Sequence, residues 1–509
     1  MTVFKYVIWS FLLIFSVESG FSQSIRISEI DEDKGALESI LVIDSNEFII
    51  ATKEYTATKE YFFFKRYDGT QLLDKHRLLS EYKDRSINYK KFEIVSDTLS
   101  AFFSIANLET FEYYCQKFDL LGFPIDDPQY LTSIPRMSNK SWNNGGVLFS
   151  PDKSNYLIYC VLFDQTAHSK VFHYEHFSSS GKLLKRGEIA ASKKADDIAF
   201  DDVWLTNNGK IAISEYVFLD KQFGERKSNR RMDVVRLHVI HGELSNTIIL
   251  VPPQDEYLTH VEIEFKGNSI SGTGIYCVKN DHFKGLFSFY IPDWNAKSDE
   301  IVVKNFPRMQ SVPLTAFDLR FSNKKQNPLQ SKIHVCNDMK LLNTFYHADS
   351  LVYVWERIAT IVHKNSESYM GRDILIVKAF QDSILNCSVI PKSVVSGYGE
   401  MINLMSYTEL TSPNEITILT NDYADLYDVS GNYIVDSPKL KRNRILKSPF
   451  GVVEIKYHLT NGSYDRKMLF DNTVFEVTAT PVIWQKLTPH KMLLQFSEFG
   501  KYRFAYWDF

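Results

Sequence analysis

The sequence predicts an all-β protein, and among all-β folds a β-propeller of about seven four-stranded blades, with six and eight left open. Three observations support this prediction. Strand-length apolar runs recur along the chain, a hairpin with a glycine turn repeats, and no long stretch has helical periodicity.

The composition is that of a globular protein. Of the 509 residues, 24% are charged and 44% are hydrophobic, which is enough apolar surface for a large core. The formal net charge is −4, so no long-range attraction to a polyanion is expected. A nucleic-acid partner is therefore not predicted.

The N-terminus has the pattern of a signal peptide. Lys5 precedes an apolar stretch at residues 6–17, and the small residues Gly20 and Ser22 stand before Gln23 at a cleavage position. The apolar stretch is shorter than the ~20 residues of a membrane span, and no later segment approaches that length. We expect residues 1–22 to be removed and the mature chain to be periplasmic or extracellular.

Strand-length runs rich in β-branched and aromatic residues follow the signal peptide, punctuated by Asp, Asn and Gly. Many pair into hairpins in which an aromatic-rich strand, a polar turn with glycine and a shorter apolar strand follow each other. Glycine supplies the positive φ that such turns require. The clearest copies surround Gly69, Gly122, Gly181 and Gly431, and weaker ones surround Gly209, Gly242 and Gly462.

The turn glycines Gly69, Gly122, Gly181 and Gly242 are spaced 53, 59 and 61 residues apart. A repeat of this length fits one four-stranded blade with enlarged loops. Dividing residues 23–509 by the period gives seven or eight units in a single domain, and seven is preferred. The region near 293–382 has no clean copy, so we expect a divergent or insertion-bearing blade there.

Both chain ends are strand-like and predict closure of the ring. Residues 24–30 and 501–509 can share one blade, which covers the backbone donors and acceptors of an otherwise exposed edge.

Two other all-β folds are compatible with part of the sequence pattern. A pair of β-sandwich domains also has many short strands and regular turns, and the imperfect repeat leaves it open. An outer-membrane barrel is suggested only by Phe509 and Trp507, but Lys and Glu interrupt most candidate strands.

One segment carries a family resemblance. Residues 371–378 (GRDILIVK), followed by Ile390-Pro391-Lys392, resemble a motif of uncharacterised secreted β-propeller proteins of Bacteroidota-type bacteria. Strands that end in Leu-Asp-x-x-Gly-Lys turns recur in that group. Here the turn at Gln381 lacks the expected glycine. The resemblance implies a secreted propeller and carries no activity or site residue.

No cofactor or metal site is predicted. The five cysteines are far apart, and an odd number favours buried free thiols over disulfides, although one bridge stays open. The pairs His173/His176 and His238/His241 lie in predicted strands, where residues three apart point to opposite faces. An acidic group, Asp196, Asp197, Asp201 and Asp202, could coordinate calcium or supply the carboxylate pair of a glycosidase. Its spacing fits no EF-hand loop, and a hydrolase pair generally comes from separate strands, so it is interpreted as a solvated loop.

Two tryptophans are the candidate ligand-binding residues. Trp142 and Trp294 lie in polar segments, at 138–146 and 292–298, where an exposed indole can stack on a sugar or anchor a peptide. An indole packed over a blade edge is the alternative interpretation for each.

These observations favour an exported, monomeric, non-catalytic binding module for an unknown protein, peptide or glycan ligand, since no catalytic motif is found. The alternative is a glycan-processing enzyme whose carboxylates meet at the central channel. Two carboxyl groups that face each other ~5–9 Å apart across the channel would favour the enzyme, whereas a channel lined with Leu, Val and Tyr would favour the binding module.

Overall fold

A computed structural model describes most of the chain after the N-terminal segment. The described residues are 24–27, 35–55, 60–95, 97–136, 145–164, 166–218, 232–253, 256–278, 282–295, 300–304, 308–310, 339–362, 367–381, 383–390, 392, 394–396, 406–434, 450–471, 481, 484–498 and 501–508. These residues form strands, turns and short 3-10 segments, and none of them lies in an α-helix. No helix long and apolar enough to cross a membrane is found among them.

In the first four blades each strand pairs antiparallel with the next along the chain; blades 1 to 3 are separate four-stranded sheets, whereas the strands of blade 4 belong to a larger sheet that also contains blade 5. They follow β1 (Ser24–Ile27). Blade 1 contains β2 (Gly35–Val42), β3 (Glu47–Tyr55), β4 (Glu60–Asp68) and β5 (Gln71–Arg77). A small hairpin follows, β6 (Glu81–Tyr82) and β7 (Arg85–Ser86). Blade 2 contains β8 (Asn88–Val95), β9 (Thr98–Ala106), β10 (Thr110–Phe118) and β11 (Gln129–Pro135). Blade 3 contains β12 (Gly146–Phe149), β13 (Asn155–Asp164), β14 (Ser169–Ser178) and β15 (Leu183–Ala190). Blade 4 contains β16 (Ile198–Leu205), β17 (Ile211–Phe218), β18 (Met232–His241) and β19 (Leu244–Leu250).

The remaining blades repeat this order, with additions in blades 5 and 6. Blade 5 contains β20 (Glu256–Lys266), β21 (Ser269–Val278), β22 (His282–Ile291) and β24 (Arg308–Gln310), with β23 (Glu300–Val303) between its last two strands. Blade 6 contains β25 (Met339–His347), β26 (Ser350–Val362), β27 (Glu367–Phe380) and β28 (Ser383–Ile390), and β29 (Val394–Ser396) pairs with β27. Blade 7 contains β30 (Tyr407–Ser412), β31 (Glu415–Tyr423), β32 (Phe450–His458) and β33 (Tyr464–Asp471). Blade 8 contains β34 (Gln485–Thr488), β35 (Lys491–Glu498) and β36 (Lys501–Asp508).

The first strand of each blade lies innermost. First strands of neighbouring blades contact one another, as β2 contacts β8 and β12 contacts β16. Fourth strands are outermost, and β5 is exposed along nearly its whole length. The first strands therefore surround the axis of the ring, as in a propeller.

Eight hydrophobic cores hold the ring together, one at each interface between neighbouring blades. The core between blades 8 and 1 closes the circle and contains Phe48 and Tyr67 from blade 1 with Phe504 and Tyr506 from blade 8. Between blades 2 and 3, Cys115 and Cys160 are buried in the core as free thiols, as predicted. Each blade thus buries both faces, which is the condition for a stable propeller.

The prediction that both chain ends share a blade is confirmed. β1 pairs antiparallel with β36, with Ser24 opposite Asp508 and Ile27 opposite Ala505. The N-terminal strand is therefore the fourth strand of blade 8.

The blade number is eight, at the upper end of the predicted range, instead of the preferred seven. The glycine period is real, because Gly69, Gly122, Gly181 and Gly242 all have positive φ in the turn between the third and fourth strands. In blade 6 this position is held by Gln381, with φ 52°. Because this turn has no glycine, the sequence pattern does not mark blade 6 as a repeat unit.

The region near 293–382 contains an insertion between the third and fourth strands of blade 5. After β22 the chain crosses to blade 4, where β23 pairs parallel with β19, and then returns to blade 5 as β24. Blade 4 thereby gains a fifth strand. A single bridge, Met232 to Leu258, also joins β18 to β20.

The two ends of the ring differ. Connections from second to third strands, and from one blade to the next, lie at one end, which we name the loop face. The strands that flank the longest intervals between consecutive strands end and begin at this face, and these intervals are residues 136–145, 219–231, 311–338, 397–406, 424–449 and 472–484. The other end, the turn face, carries mostly tight turns, together with the longer β10–β11 connection at residues 119–128 and the blade 5 insertion.

Candidate functional site

Of the two candidate tryptophans, the structure describes Trp294. Trp142 lies outside the described residues. Trp294 lies in the insertion at the turn face and is only 1% exposed. Its indole packs in the core between blades 4 and 5, and its carbonyl oxygen accepts a 2.6 Å hydrogen bond from Asn246 Nδ2. The burial favours packing over ligand contact for Trp294.

The predicted acidic group divides into two parts. Asp196 and Asp197 lie in a 3-10 turn at Ala195–Asp197, on the connection into blade 4. Asp201 and Asp202 do not lie in a solvated loop, as the sequence suggested, but within β16, the first strand of blade 4. The correction has a physical reason: the flanking residues of β16 pair with β17 and hold the two aspartates on the inner strand.

β-Bulges shape the inner strands. In β16 the register with β17 shifts between Phe200 and Val203, so that Asp201 and Asp202 leave the regular ladder. The first strands of blades 1, 2, 5 and 6 carry comparable shifts against their second strands. A bulge re-aims side chains and increases the local twist. The same kind of register shift recurs in the first strands of several blades. This recurrence indicates that bulges are a feature of the strands that line the channel.

Asp202 is fixed by two hydrogen bonds. Its backbone N–H donates to Ser214 Oγ at 2.8 Å, and the Tyr216 hydroxyl donates to its Oδ2. Burial raises the pKa of the Asp202 carboxyl, and the neighbouring Asp201 carboxylate raises it further. The bond from Tyr216 acts in the opposite direction. Asp202 therefore holds its proton more tightly than an exposed aspartate.

Blade 5 adds a histidine and a carboxylate. On its first strand, His260 Nε2 lies 2.8 Å from Glu262 Oε1, and both side chains are 23% exposed. The His260 ring meets the buried Trp355 ring of blade 6 edge-on, with centroids 5.4 Å apart. Glu262 also contributes to the raised pKa of Asp202, while His260 lowers it. We name Asp201, Asp202, His260 and Glu262 the acidic cluster.

Other acidic side chains, which are buried, already have hydrogen-bond partners within the protein. Glu215, on the second strand of blade 4, is fully buried and accepts 2.6 Å bonds from the Ser192 backbone N–H and hydroxyl at one oxygen. Its other oxygen lies 3.0 Å from His238 Nε2. Glu356 of blade 6 accepts from Ser406 N–H at 2.8 Å and pairs with Lys392. Such groups tie blade-to-blade connections to the sheets and are structural.

The acidic cluster differs from these buried acids in exposure. Asp201 is exposed, and His260 and Glu262 keep about a quarter of their side-chain surface. These residues lie on β16 and β20, the innermost strands of blades 4 and 5. Exposed carboxylates can accept hydrogen bonds from ligand hydroxyl or ammonium groups.

His173 and His176, which are close in sequence, have different partners in the structure. His173 contacts Glu188 at 3.1 Å, whereas His176 contacts Asn155 at 2.8 Å. No group of three or more His, Cys, Asp or Glu with the geometry of a metal site occurs among the described residues.

The sequence missed His260, Glu262 and Tyr216. Alternation in β20, where His260, Glu262 and Glu264 are separated by Val261 and Ile263, is the signal that a polar face lies on an inner strand. Their proximity to Asp202 depends on how blades 4 and 5 pack.

No family model matches the chain, and no curated protein matches it. Among solved structures it is similar to the WD40 domain of SCAP from fission yeast, with 10% identity, TM-score 0.37 and coverage of 96% of this chain and 99% of that chain. Prolyl oligopeptidase B from Galerina marginata is 9% identical, with TM-score 0.36 and coverage of 91% of this chain and 55% of that chain. The α-L-arabinofuranosidase Arb93A from Fusarium graminearum is 8% identical, with TM-score 0.29 and coverage of 73% and 98%. These likenesses concern the fold alone, and the count of eight blades rests on the strand pairing and the cores between blades.

Proposed function

We propose that the protein is an exported, non-catalytic binding module whose ligand enters from the loop face and contacts the acidic cluster. The observation that supports this proposal is the contrast in exposure. Glu215 and Glu356 are buried and satisfied, whereas Asp201, His260 and Glu262 keep free surface on the innermost strands. Polar groups that a fold leaves open at a concave centre favour ligand binding.

The ligand class that fits is a protein, peptide or glycan with hydroxyl or ammonium groups. Carboxylates that accept hydrogen bonds bind either group, and charge-assisted bonds are the stronger ones. Trp142 stays a proposed ligand contact, because its connection begins and ends at the loop face.

Binding can be tested with glycan and peptide arrays, followed by titration of the hits. Asp201→Asn combined with Glu262→Gln should weaken binding by at least about tenfold, as expected when charge-assisted bonds become neutral ones. The matched control is Asp349→Asn, an exposed aspartate in the turn between β25 and β26. Equal affinity of the cluster variant and the wild type for the ligand would contradict the proposal that the acidic cluster is the binding site.

A second candidate is a glycan-processing enzyme, favoured by one observation. Asp202 has a raised pKa and stands beside a second carboxyl group, Asp201. Glycosidases use two carboxyl groups in different environments, one as general acid. Release of reducing sugar from a polysaccharide panel, abolished in Asp202→Asn, would establish the enzyme and overturn the non-catalytic proposal. Turnover that persists in this variant would place the chemistry elsewhere.

Export is proposed from residues 1–22, and membership in the secreted Bacteroidota-type propeller group from the resemblance at residues 371–378. Intact-mass measurement of protein from a bacterial periplasm or culture medium should give a chain that begins at Gln23. Retention of Met1 on exported protein would contradict signal-peptide cleavage.

A further inference from the structure

The fourth strands of the blades differ in charge. A strand at the outer rim has a row of backbone donors and acceptors along one edge, and proteins commonly protect such edges with charged side chains or proline. The fourth strands of six blades carry a charged residue or a proline, and these strands are β1, β5, β11, β15, β24 and β33. The exceptions are β19 (LSNTIIL) in blade 4 and β28 (SILNCSVI) in blade 6.

The chain itself covers one of these two uncharged edges. β23 pairs parallel with β19, with Thr247 opposite Glu300 and Leu250 opposite Val303. The added strand satisfies the backbone groups of that edge. The inner edge of β28 pairs with β27, and no strand among the described residues pairs with its outer edge. β28 is therefore the uncharged outer edge that the described part of the chain leaves uncovered.

β28 offers a regular stretch with one apolar and one polar face. Asn386–Ile390 pairs with β27 without a register shift, beyond a bulge near the start of the strand. Cys387 and Val389 pack against the core between blades 5 and 6. Ser388 Oγ lies 2.7 Å from the Tyr457 hydroxyl oxygen of blade 7. A strand added to this edge would extend both faces.

We propose that β28 pairs antiparallel with β28 of a second copy of this chain, so that two propellers join edge to edge about a two-fold axis. In such a pairing each strand meets its own sequence. A charged strand can bring like charges close to each other, whereas β28 has no charge to oppose its copy. Apolar side chains then meet apolar ones on one face, and polar ones meet polar ones on the other. The dimer differs from the monomer that the sequence favours.

Exposed apolar side chains beside β28 add to this interface. Phe380, at the end of β27, is 38% exposed, and Leu385, near the start of β28, is 56% exposed. A single pair of strands is at the small end of specific protein interfaces. The dimer should therefore dissociate on dilution, with a Kd on the order of 10 µM.

The test is sedimentation velocity of the purified protein between about 1 and 100 µM, where the wild type should shift from monomer to dimer. Leu385→Lys combined with Asn386→Lys places charges on β28 at two exposed positions. This variant should raise the Kd of the dimer at least about tenfold. The matched control is Gln71→Lys with Leu73→Lys on β5, where both residues are exposed and the strand already carries charges. The control should dimerise as the wild type does.

Hydrogen exchange of the wild type tests the same edge without any substitution. Backbone amides of Asn386–Ile390 should exchange more slowly at ~100 µM than at ~1 µM, because pairing with the second copy protects those that point outward. Protection that does not change with concentration would show that the edge is covered within one chain, and would overturn the proposal.

The proposal is also overturned if the wild type stays monomeric at ~100 µM, if the β28 variant dimerises as the wild type does, or if the β5 control loses the dimer equally. Melting temperatures show whether each variant is folded. If the β28 variant does not fold, the exchange measurement on the wild type decides.

Discussion

At the scale of single residues, buried charge is used mainly to fix connections. Glu356 and Lys392 are almost fully buried, and the Ser406 hydroxyl bridges Glu356 Oε1 at 3.1 Å and Thr420 Oγ1 at 2.8 Å. The network joins the second strand of blade 6 to the connection that enters blade 7. A buried polar group that loses its hydrogen-bond partner costs free energy, so a network of this kind favours a single arrangement of the groups that it joins.

Glu356→Gln should destabilise the protein by about 3–5 kcal/mol, because the Lys392 ammonium would be buried without its carboxylate. The control is Glu93→Gln at the pair with Lys153, whose side chains are 16% and 43% exposed, where the loss should stay within about 1 kcal/mol. Urea unfolding measures both changes. Equal effects would show that the Glu356 network does not carry the blade 6 to blade 7 connection.

Asp202 predicts a pH effect with a definite sign. Burial raises its pKa above the ordinary 3.8, so the folded state holds this proton where the unfolded chain has lost it. The stabilisation that protonated Asp202 contributes is therefore fully present below pH 3.8, and it is lost as the pH rises through the raised pKa of the folded state.

Asp202→Asn removes the ionisation and keeps an oxygen that can accept the Tyr216 hydroxyl. The variant should be more stable than the wild type at neutral pH, and the difference should vanish toward pH 3.8. Denaturant unfolding across the acid range measures it. A difference that is constant with pH would contradict the ionisation of Asp202 as the cause.

At the scale of elements, the turns between third and fourth strands explain why the repeat is visible. These turns need a left-handed residue, and blades 1 to 4 place glycine there. Blade 6 uses Gln381 at φ 52°, which a side chain adopts only at some cost. Glycine and glutamine at this turn position therefore differ in backbone strain.

Gln381→Gly should therefore stabilise the protein by about 0.5–1 kcal/mol, and Gly69→Ala should destabilise it by about 1 kcal/mol. Gly69 is the suitable position for the opposite substitution, because a Cβ added there meets no atom within 4 Å and only the backbone conformation is tested. Melting temperatures of the two variants should move in opposite directions. A rise in both, or a fall in both, would show that the turns are governed by something other than φ.

At the scale of the whole molecule, closure ties the two termini together. β36 supplies Phe504, Tyr506 and Trp507, each 4% exposed or less, to the cores between blades 8 and 1 and between blades 7 and 8. The ring therefore has no independent terminal blade, and loss of its last strand exposes two interfaces at once.

Deletion of residues 501–509 should give an insoluble or protease-sensitive chain. Each buried aromatic lost costs about 3–5 kcal/mol, and the total stability of a domain is about 5–15 kcal/mol. Removal of residues 23–34, which takes away only the fourth strand of blade 8, should leave a soluble chain with a lower melting temperature. Wild-type melting after the C-terminal deletion would show that ring closure is dispensable.

The sequence alone determined the fold class, the strand character of both termini and the blade period, because these follow from local patterning, strand propensity and turn glycines. It placed the hairpins at Gly69, Gly122, Gly181 and Gly242 correctly, since positive φ is a local requirement. Only the tertiary structure decided that there are eight blades, that β23 crosses to blade 4, and that Trp294 is core. It also brought Asp202 near His260 and Glu262, because residues about 60 positions apart meet only when the innermost strands of neighbouring blades pack around one axis.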